Sequence, residues 1–255
     1  MFNVAGQMQT GQWKFTPGIW PSLVTFLVLP ILVSLGFWQL DRAEQKRELY
    51  QQFINQQSAA MIDLNRNSTI LDKESEVLWR HIKLTGQFEN QPHILLDNQV
   101  MKREPGYFVF TPLKLTNEDT WLLVNRGWVS AGTDRNVVPE IDLPAEEVEL
   151  IAVATDVPVT GILLGNINIE KLDDKMYRAQ RIDIEEISDL AGLKLLPFIA
   201  RLEPESGHGF VREWIMPGSG EEKHLGYAFQ WFALSLTLLI IFIVVNTRRI
   251  KTGDD

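Results

Sequence analysis

Two long apolar runs, one near each end of the chain, constrain its fold more than any other feature. The first extends from Ile19 to Leu40 and the second from His224 to Asn246. A helix that crosses a bilayer core needs about 20 predominantly apolar residues, and both runs meet that length. Two crossings put both chain ends on one side of a membrane and everything between them on the other. The sequence therefore predicts a membrane protein, with two transmembrane α-helices flanking a central extracytoplasmic domain. Pro30 lies inside the first run and is expected to kink it. The run ends in Phe37-Trp38-Gln39-Leu40-Asp41-Arg42, which lacks the small-x-small pattern of a signal-peptidase site, so it reads as a retained span.

Charge placement sets the expected orientation. The formal net charge is −9, from 24 Lys+Arg against 33 Asp+Glu. Outside the stretch Asp41–Lys223 the only charged residues are Lys14, Arg248, Arg249, Lys251, Asp254 and Asp255. An acidic middle between mildly basic ends suits an export-facing domain with cytoplasmic tails. The second span obeys the positive-inside rule, with Arg248, Arg249 and Lys251 after it and only Lys223 before it, beside Glu221 and Glu222. The first span points the other way, because Arg42, Lys46 and Arg47 follow it and only Lys14 precedes it. The second decides, since long domains translocate largely regardless of charge. The expected organisation is a cytoplasmic tail (1–18), a first span (19–40), a periplasmic domain (41–223), a second span (224–246) and a second tail (247–255). The acidic balance argues against a nucleic-acid binder. The chain has no cysteine, which removes disulfides, thiolate metal sites, cysteine nucleophiles and covalent C-x-x-C-H haem attachment.

Between the runs the texture is mostly β. Asp41–Gln57 keeps a helical period and reads as a solvated helix leaving the membrane, and Ser58–Ser75 as a connection. Short runs rich in β-branched and aromatic residues follow, separated by turn signals. They are Val77–Phe88, His93–Gln99, Gly106–Leu115, Trp121–Val129, Val148–Val157, Val159–Ile169, Leu195–Leu202 and Phe210–Ile215. Pro112 suggests an edge or a bend. Gly132–Pro144 reads as loop, and Ile184–Leu193 as a short helix closed by Gly192. The expected domain is mainly antiparallel β with short helices (α+β), a small barrel or a sandwich. Pro217-Gly218-Ser219-Gly220 is a hinge before the second span.

No enzyme constellation is present: there is no H-E-x-x-H, G-x-S-x-G, phosphate-binding loop or G-x-G-x-x-G. Four scattered histidines make no metal spacing. His81 and His93 sit in strand-like runs and read as surface or satisfied core residues, and His208 sits in a Gly-flanked loop. Asp173-Asp174, Glu185-Glu186 and Glu146-Glu147 read as solvated faces, since nothing apolar surrounds them to raise a pKa. Asn125-Arg126-Gly127 interrupts a strand and marks a bulge or close approach. There Arg126 serves either a structural ion pair or an anionic partner.

The richest chemistry opens the second span. Residues seven apart on a helix nearly share a face, so His224, Tyr227, Ala228 and Trp231 are expected on one stripe. A ring nitrogen, a small residue and an indole can wall a flat aromatic ligand such as a haem. The same residues also suit the headgroup zone as anchors. Trp38 and Arg42, four apart at the end of the first span, can stack on one face or act as an aromatic belt with a basic anchor.

Three motifs, in this order and in register with two spans, carry a resemblance. They are Leu-Gly-x-Trp-Gln-x-x-Arg (Leu35, Gly36, Trp38, Gln39, Arg42), Asn-Arg-Gly-Trp-Val (Asn125 to Val129) and His-Leu-x-Tyr-Ala-x-Gln-Trp-Phe (His224 to Phe232). Over roughly Ile19 to Arg249 the chain resembles the Surfeit locus protein one family, assembly factors of haem-copper cytochrome c oxidase, and looks like a bacterial member. Ser130 stands where the family often has Pro, which touches only turn geometry. The resemblance implies a multi-pass protein of the bacterial inner membrane that binds haem a and hands it to the catalytic subunit of cytochrome c oxidase, with haem a synthase as a further partner. It puts the haem-associated histidine on His224, as iron ligand, and the associated tryptophan on Trp231. Tyr227, Trp38 and Arg42 are expected to frame the same site at one membrane level. The alternative is a scaffold for oxidase subunits that binds no cofactor, with His224 and Trp231 as helix-packing residues. A membrane-anchored enzyme is a further class, for which the domain offers no acid/base pair or metal site.

Overall fold

The computed structural model describes residues 12–66, 74–90, 92–116, 119–133, 137–158 and 168–250. In chain order the elements are β1 (Gln12–Phe15), α1 (Ile19–Gln57), β2 (Ile62–Asp63), α2 (Glu74–Val77), β3 (His81–Phe88), β4 (His93–Met101), β5 (Glu104–Leu115), β6 (Trp121–Ser130), β7 (Val148–Thr155), β8 (Ile169–Lys171), β9 (Met176–Ala179), α3 (Ile184–Ala191), β10 (Leu195–Leu202), α4 (Glu221–Asn246) and β11 (Thr247–Ile250). They fall into two units, Met1–Gln51 with Met216–Asp255, and Gln52–Ile215.

The first unit is a helical hairpin. α1 and α4 are each long and apolar enough to cross a membrane, and only a small share of either apolar stretch is buried in protein. A core helix of a water-soluble fold would hide that surface. α1 does not stop at the end of the apolar run. It continues unbroken to Gln57, a length of about 58 Å at 1.5 Å per residue. Pro30 lies within it; its ring removes one backbone bond without ending the helix. α4 starts earlier than the apolar run, at Glu221. Gly220 precedes it in the left-handed region (φ 95°), and Glu221 and Glu222 occupy its first turn, where carboxylates favour the helix dipole. The stretches read from sequence as plain tails hold strands: β1 pairs antiparallel with β11, Gln12 opposite Ile250 and Phe15 opposite Thr247. Asn246 ties this end together. Its side-chain oxygen accepts from the Gly18 amide at 2.8 Å, and its carbonyl accepts from Thr16 N at 2.8 Å.

The second unit is built on a closed five-stranded barrel. β3 pairs with β7, β7 with β10, β10 with β6, β6 with β5, and β5 returns to β3. Every ladder in the ring is antiparallel except β10–β6, which is parallel. Closure depends on Gly86, which faces Val148 on one side and Leu115 on the other. A methyl group there would lie 2.1 Å from the Lys114 carbonyl oxygen, so β3 and β5 meet only because Gly86 has no side chain. Pro112 sits where β5 leaves its β4 neighbour (last pair Ile94–Phe110) and takes up β3 (Leu113–Phe88). Its missing N–H is therefore not needed by a ladder on that side. Inward residues of the ring fill one large core that includes Leu84, Leu113, Leu122, Leu150, Phe198 and Leu202. β4, with β9 parallel beside it and β8 beyond, extends the sheet outside the ring.

α3 forms where the sequence predicts it. The Asp183 carboxylate caps the Glu186 amide, and Gly192 closes the helix in the left-handed region (φ 66°). Phe210–Ile215 differs from its expected strand. It makes one bridge, Trp128 with Val211, because β6 bulges at this point and offers no continuous edge. β9 is too short to have been marked by periodicity. Most of the run Val159–Ile169 lies outside the described residues.

Candidate functional site

The two hairpin helices meet along an alternating four-three spacing. On α1 the buried or half-buried positions include Thr25, Leu29, Leu32, Gly36, Gln39 and Ala43. On α4 they include Glu221, His224, Ala228, Trp231, Ser235, Leu238 and Phe242. This is the spacing of a coiled-coil seam, a period of 3.5 residues. Gly36, Ala43, Ala228 and Ser235 keep it narrow, as small residues do between membrane helices. The pairings run antiparallel: Gly18 with Asn246, Gly36 with Phe232, Gln39 with His224 and Arg47 with Glu221. Gly218 of the hinge sits tight against α1. A methyl group on it would fall 2.4 Å from the Lys46 carbonyl oxygen, and its φ is 75°.

His224 lies on this seam and reaches across it. Its Nδ1 is 2.7 Å from the side-chain oxygen of Gln39. An amide oxygen only accepts, so Nδ1 carries the proton and donates. In the neutral ring Nε2 then holds a free electron pair. Among the described residues the bond to Gln39 is the ring's only hydrogen bond. Trp231 lies seven residues further along the same seam and is half-buried, and Ala228 between them is buried. Tyr227 is off the stripe predicted for it: it is 52% exposed, because three residues advance a helix by only 300° and carry it to the rim.

That rim position matters. In two antiparallel right-handed helices, the positions just before seam residues on each helix fall on the same flank of the pair. Trp38 and Arg42 precede Gln39 and Ala43, and Tyr227 precedes Ala228. Trp38, Arg42 and Tyr227 therefore share one flank, at the level of the Gln39–His224 bond. The opposite flank carries Phe37 and Phe232, whose rings meet edge-on at 5.4 Å. Arg42 lies over the Trp38 ring at 5.6 Å and donates to Gln45 Oε1 at 2.7 Å. Both Trp38 and Arg42 are exposed. In the sequence Gln39 stands out only as a member of the motif that ends the first span, not as a site residue; the signal that could have found its role is a polar amide seven residues after Leu32 and seven before Lys46, inside an otherwise apolar face.

The other candidates stay apart from this site. Arg126 is the extra residue of a β-bulge, between the pairs Val109–Gly127 and Phe110–Asn125. It is 2% exposed and packs between Phe88 and Phe210, with centroids at 5.0 and 4.9 Å. Its Nε donates to the His208 carbonyl and its Nη2 to the Asp142 carbonyl, both at 2.8 Å. Among the described residues it has no carboxylate partner, so the expected ion pair is replaced by carbonyls and rings. Burial pushes its guanidinium down to about 10, still charged near neutrality. His81 bonds to Glu203, and His93 is buried beside Thr111, both as satisfied domain residues. Among the described residues no group of three His, Cys, Asp or Glu could hold a metal ion.

Comparison with known sequences bears on this arrangement. The sequence profile of the SURF1 family matches residues 26–236, a span that contains both sides of the seam around His224. A SURF1-like protein of Rickettsia bellii is 29% identical over 244 residues, 90% of this chain and 92% of its own length. One of Rickettsia conorii is 27% identical over 235 residues, 89% of this chain and 91% of its own. The cytochrome oxidase assembly protein SHY1 of Saccharomyces cerevisiae is 28% identical over 123 residues, 47% of this chain and 31% of its own.

Proposed function

The chain belongs to the SURF1 family, and from that membership we propose that it is a membrane-anchored assembly factor for haem-copper cytochrome c oxidase that carries haem a to the catalytic subunit. The name of the yeast relative supports the oxidase-assembly part. The cargo part rests on one observation: His224 commits Nδ1 to Gln39 and leaves Nε2 without a partner among the described residues. The donor set fits a haem. A neutral imidazole ligates iron. Trp38 and Tyr227 offer aromatic faces on the adjoining flank, and the exposed Arg42 offers a cation to a propionate. Trp231, two turns along the seam, is the further haem-facing residue in this reading. Single-sided ligation on an open flank suits a carrier, which must release what it binds.

In the same reading the protein sits in the bacterial inner membrane with its barrel unit periplasmic. The basic residues after α4 support that orientation. Pairing of β1 with β11 accords with both ends lying on one side. Haem a synthase is the expected donor of the cargo and the oxidase catalytic subunit its acceptor. The role is non-catalytic.

A scaffold without cargo is the second reading, favoured by the position of His224 and Trp231 on the helix-packing seam. The two separate in an optical spectrum of the protein purified after co-expression with the haem a biosynthetic enzymes. A haem a band that is lost or shifted in His224→Ala, with the protein still folded, supports the carrier. A colourless wild type under haem-replete conditions supports the scaffold. A coloured protein indifferent to His224→Ala keeps the carrier and removes His224 from the iron.

A further inference from the structure

Gln39 and His224 are 185 residues apart and belong to different helices, yet their side chains meet at 2.7 Å. A glutamine on an apolar seam is costly unless its amide is bonded. A leucine would fill the position as well for packing alone. The amide has room because its seam neighbours on α1, Gly36 and Ala43, are small and buried, as is Ala228 on α4. The contact is also directional. An acceptor oxygen on Nδ1 selects one of the two neutral tautomers, and the hydrogen bond at one ring nitrogen sets what the other can do. A histidine side chain free in water favours the opposite tautomer, with the proton on Nε2.

We infer that Gln39 is a positioning residue: its side-chain oxygen holds the His224 ring as the Nδ1–H tautomer and keeps Nε2 as an electron-pair donor. This deepens, and for its purpose rests on, the reading of His224 as ligand to a metal-bearing cargo. Nε2 would then offer its pair to iron with no proton to shed, while the proton stays on Nδ1, hydrogen-bonded to the Gln39 oxygen. Partners that orient a ligating histidine in this way are typically worth 10–100-fold in metal affinity. The ring is thus set before cargo arrives.

The first test needs no cargo. Nitrogen-15 NMR of labelled histidine in the full-length, haem-free protein, in lipid nanodiscs, reads the tautomer directly, with His224→Ala assigning the signal. The expected result is a protonated Nδ1 and a bare Nε2 in the wild type. In Gln39→Leu the ring shifts toward the Nε2–H form, and in Gln39→Glu, which keeps an acceptor oxygen at the same reach, it does not. An Nε2–H wild-type ring, or a Gln39→Leu ring unchanged from wild type, overturns the inference. Haem a retention is then compared after co-expression. Gln39→Leu is expected to retain about tenfold less than wild type, with a lowered iron–imidazole stretch in the ferrous Raman spectrum, and Gln39→Glu to restore both. Equal retention and an equal stretch in the two variants overturn it. A haem spectrum indifferent to His224→Ala removes His224 from the iron instead, and the NMR result still decides what Gln39 does to the ring.

Discussion

Gly36 and Phe232 meet with no space between them: a methyl group built on Gly36 lies 2.6 Å from the Phe232 ring. The ring is the far end of a flexible side chain, so it can yield, but it already stands edge-on to Phe37. Gly36→Ala is therefore expected to destabilise the hairpin by about 1–3 kcal/mol, the usual cost of an over-filled contact, and Gly36→Leu by more. Phe232→Leu in the same chain should recover most of the Gly36→Ala loss. Thermal unfolding of the four proteins in detergent forms the cycle. Additive effects would mean that the two positions do not share a contact.

Arg126 makes the barrel's bulge into an anchor. Its guanidinium bonds to two carbonyls, one at His208 and one at Asp142, while Gly127 beside it carries φ 112° and stands against the Val211 carbonyl, 2.7 Å from where a methyl would be. Arg126→Ala leaves two carbonyls unpaired and a gap between Phe88 and Phe210. The expected loss is about 2–4 kcal/mol. Arg126→Lys keeps the charge but not the two-armed reach, and should recover only part. Hydrogen exchange provides the local readout: the amides of Trp128, Phe210 and Val211, all bonded across this junction, should lose protection first. Protection unchanged in Arg126→Ala would show that the loop is held by something else.

His93 gives the domain a dependence on acid. It is 2% exposed, and burial, then the positive charges of Arg126 and Lys175, push its ring down to about 4. An unfolded histidine titrates near 6.5. Above that pH both states are neutral and His93 adds no slope. Between about 6.5 and 4 the unfolded chain takes a proton that the folded one refuses, so stability falls as pH falls. Below 4 both are charged and the slope ends. The full excursion is on the order of 3 kcal/mol. His93→Gln should flatten this part of the unfolding profile. A variant with the wild-type slope would assign the dependence to other groups.

Much of this was legible along the chain because local signals carry it. Length and apolarity marked both long helices, Asp183 and Gly192 marked α3, and Gly127 marked the bulge. Most of the misses have one cause, which is pairing at long range. The parallel β10–β6 ladder of the barrel joins segments with no shared local pattern. Phe210–Ile215 has strand composition, but β6 bulges where it would have paired. His224 could be singled out from its own neighbours, whereas Gln39 acquires meaning only through a ring 185 residues away. Tyr227 went to the rim because a helix face is narrower than a list of residues three and four apart suggests.

The flank beside His224 yields the last expectation. Trp38, Arg42 and Tyr227 share it, whereas Phe37 and Phe232 occupy the other side. If haem a lies against the first flank, Arg42→Gln removes a charged donor to a carboxylate. A hydrogen bond to a charged group is worth about 1.5–3 kcal/mol, so haem a retention should drop about tenfold or more. Trp38→Leu and Tyr227→Leu should each lower retention and shift the absorption band, by removing an aromatic face. Phe37→Leu, on the far flank, should change neither. Because Trp38 and Tyr227 are half-exposed, these variants should leave the unfolding temperature nearly unchanged, which separates loss of cargo from loss of fold. Retention that follows Phe37 and ignores Arg42 would move the cargo to the other flank of the hairpin.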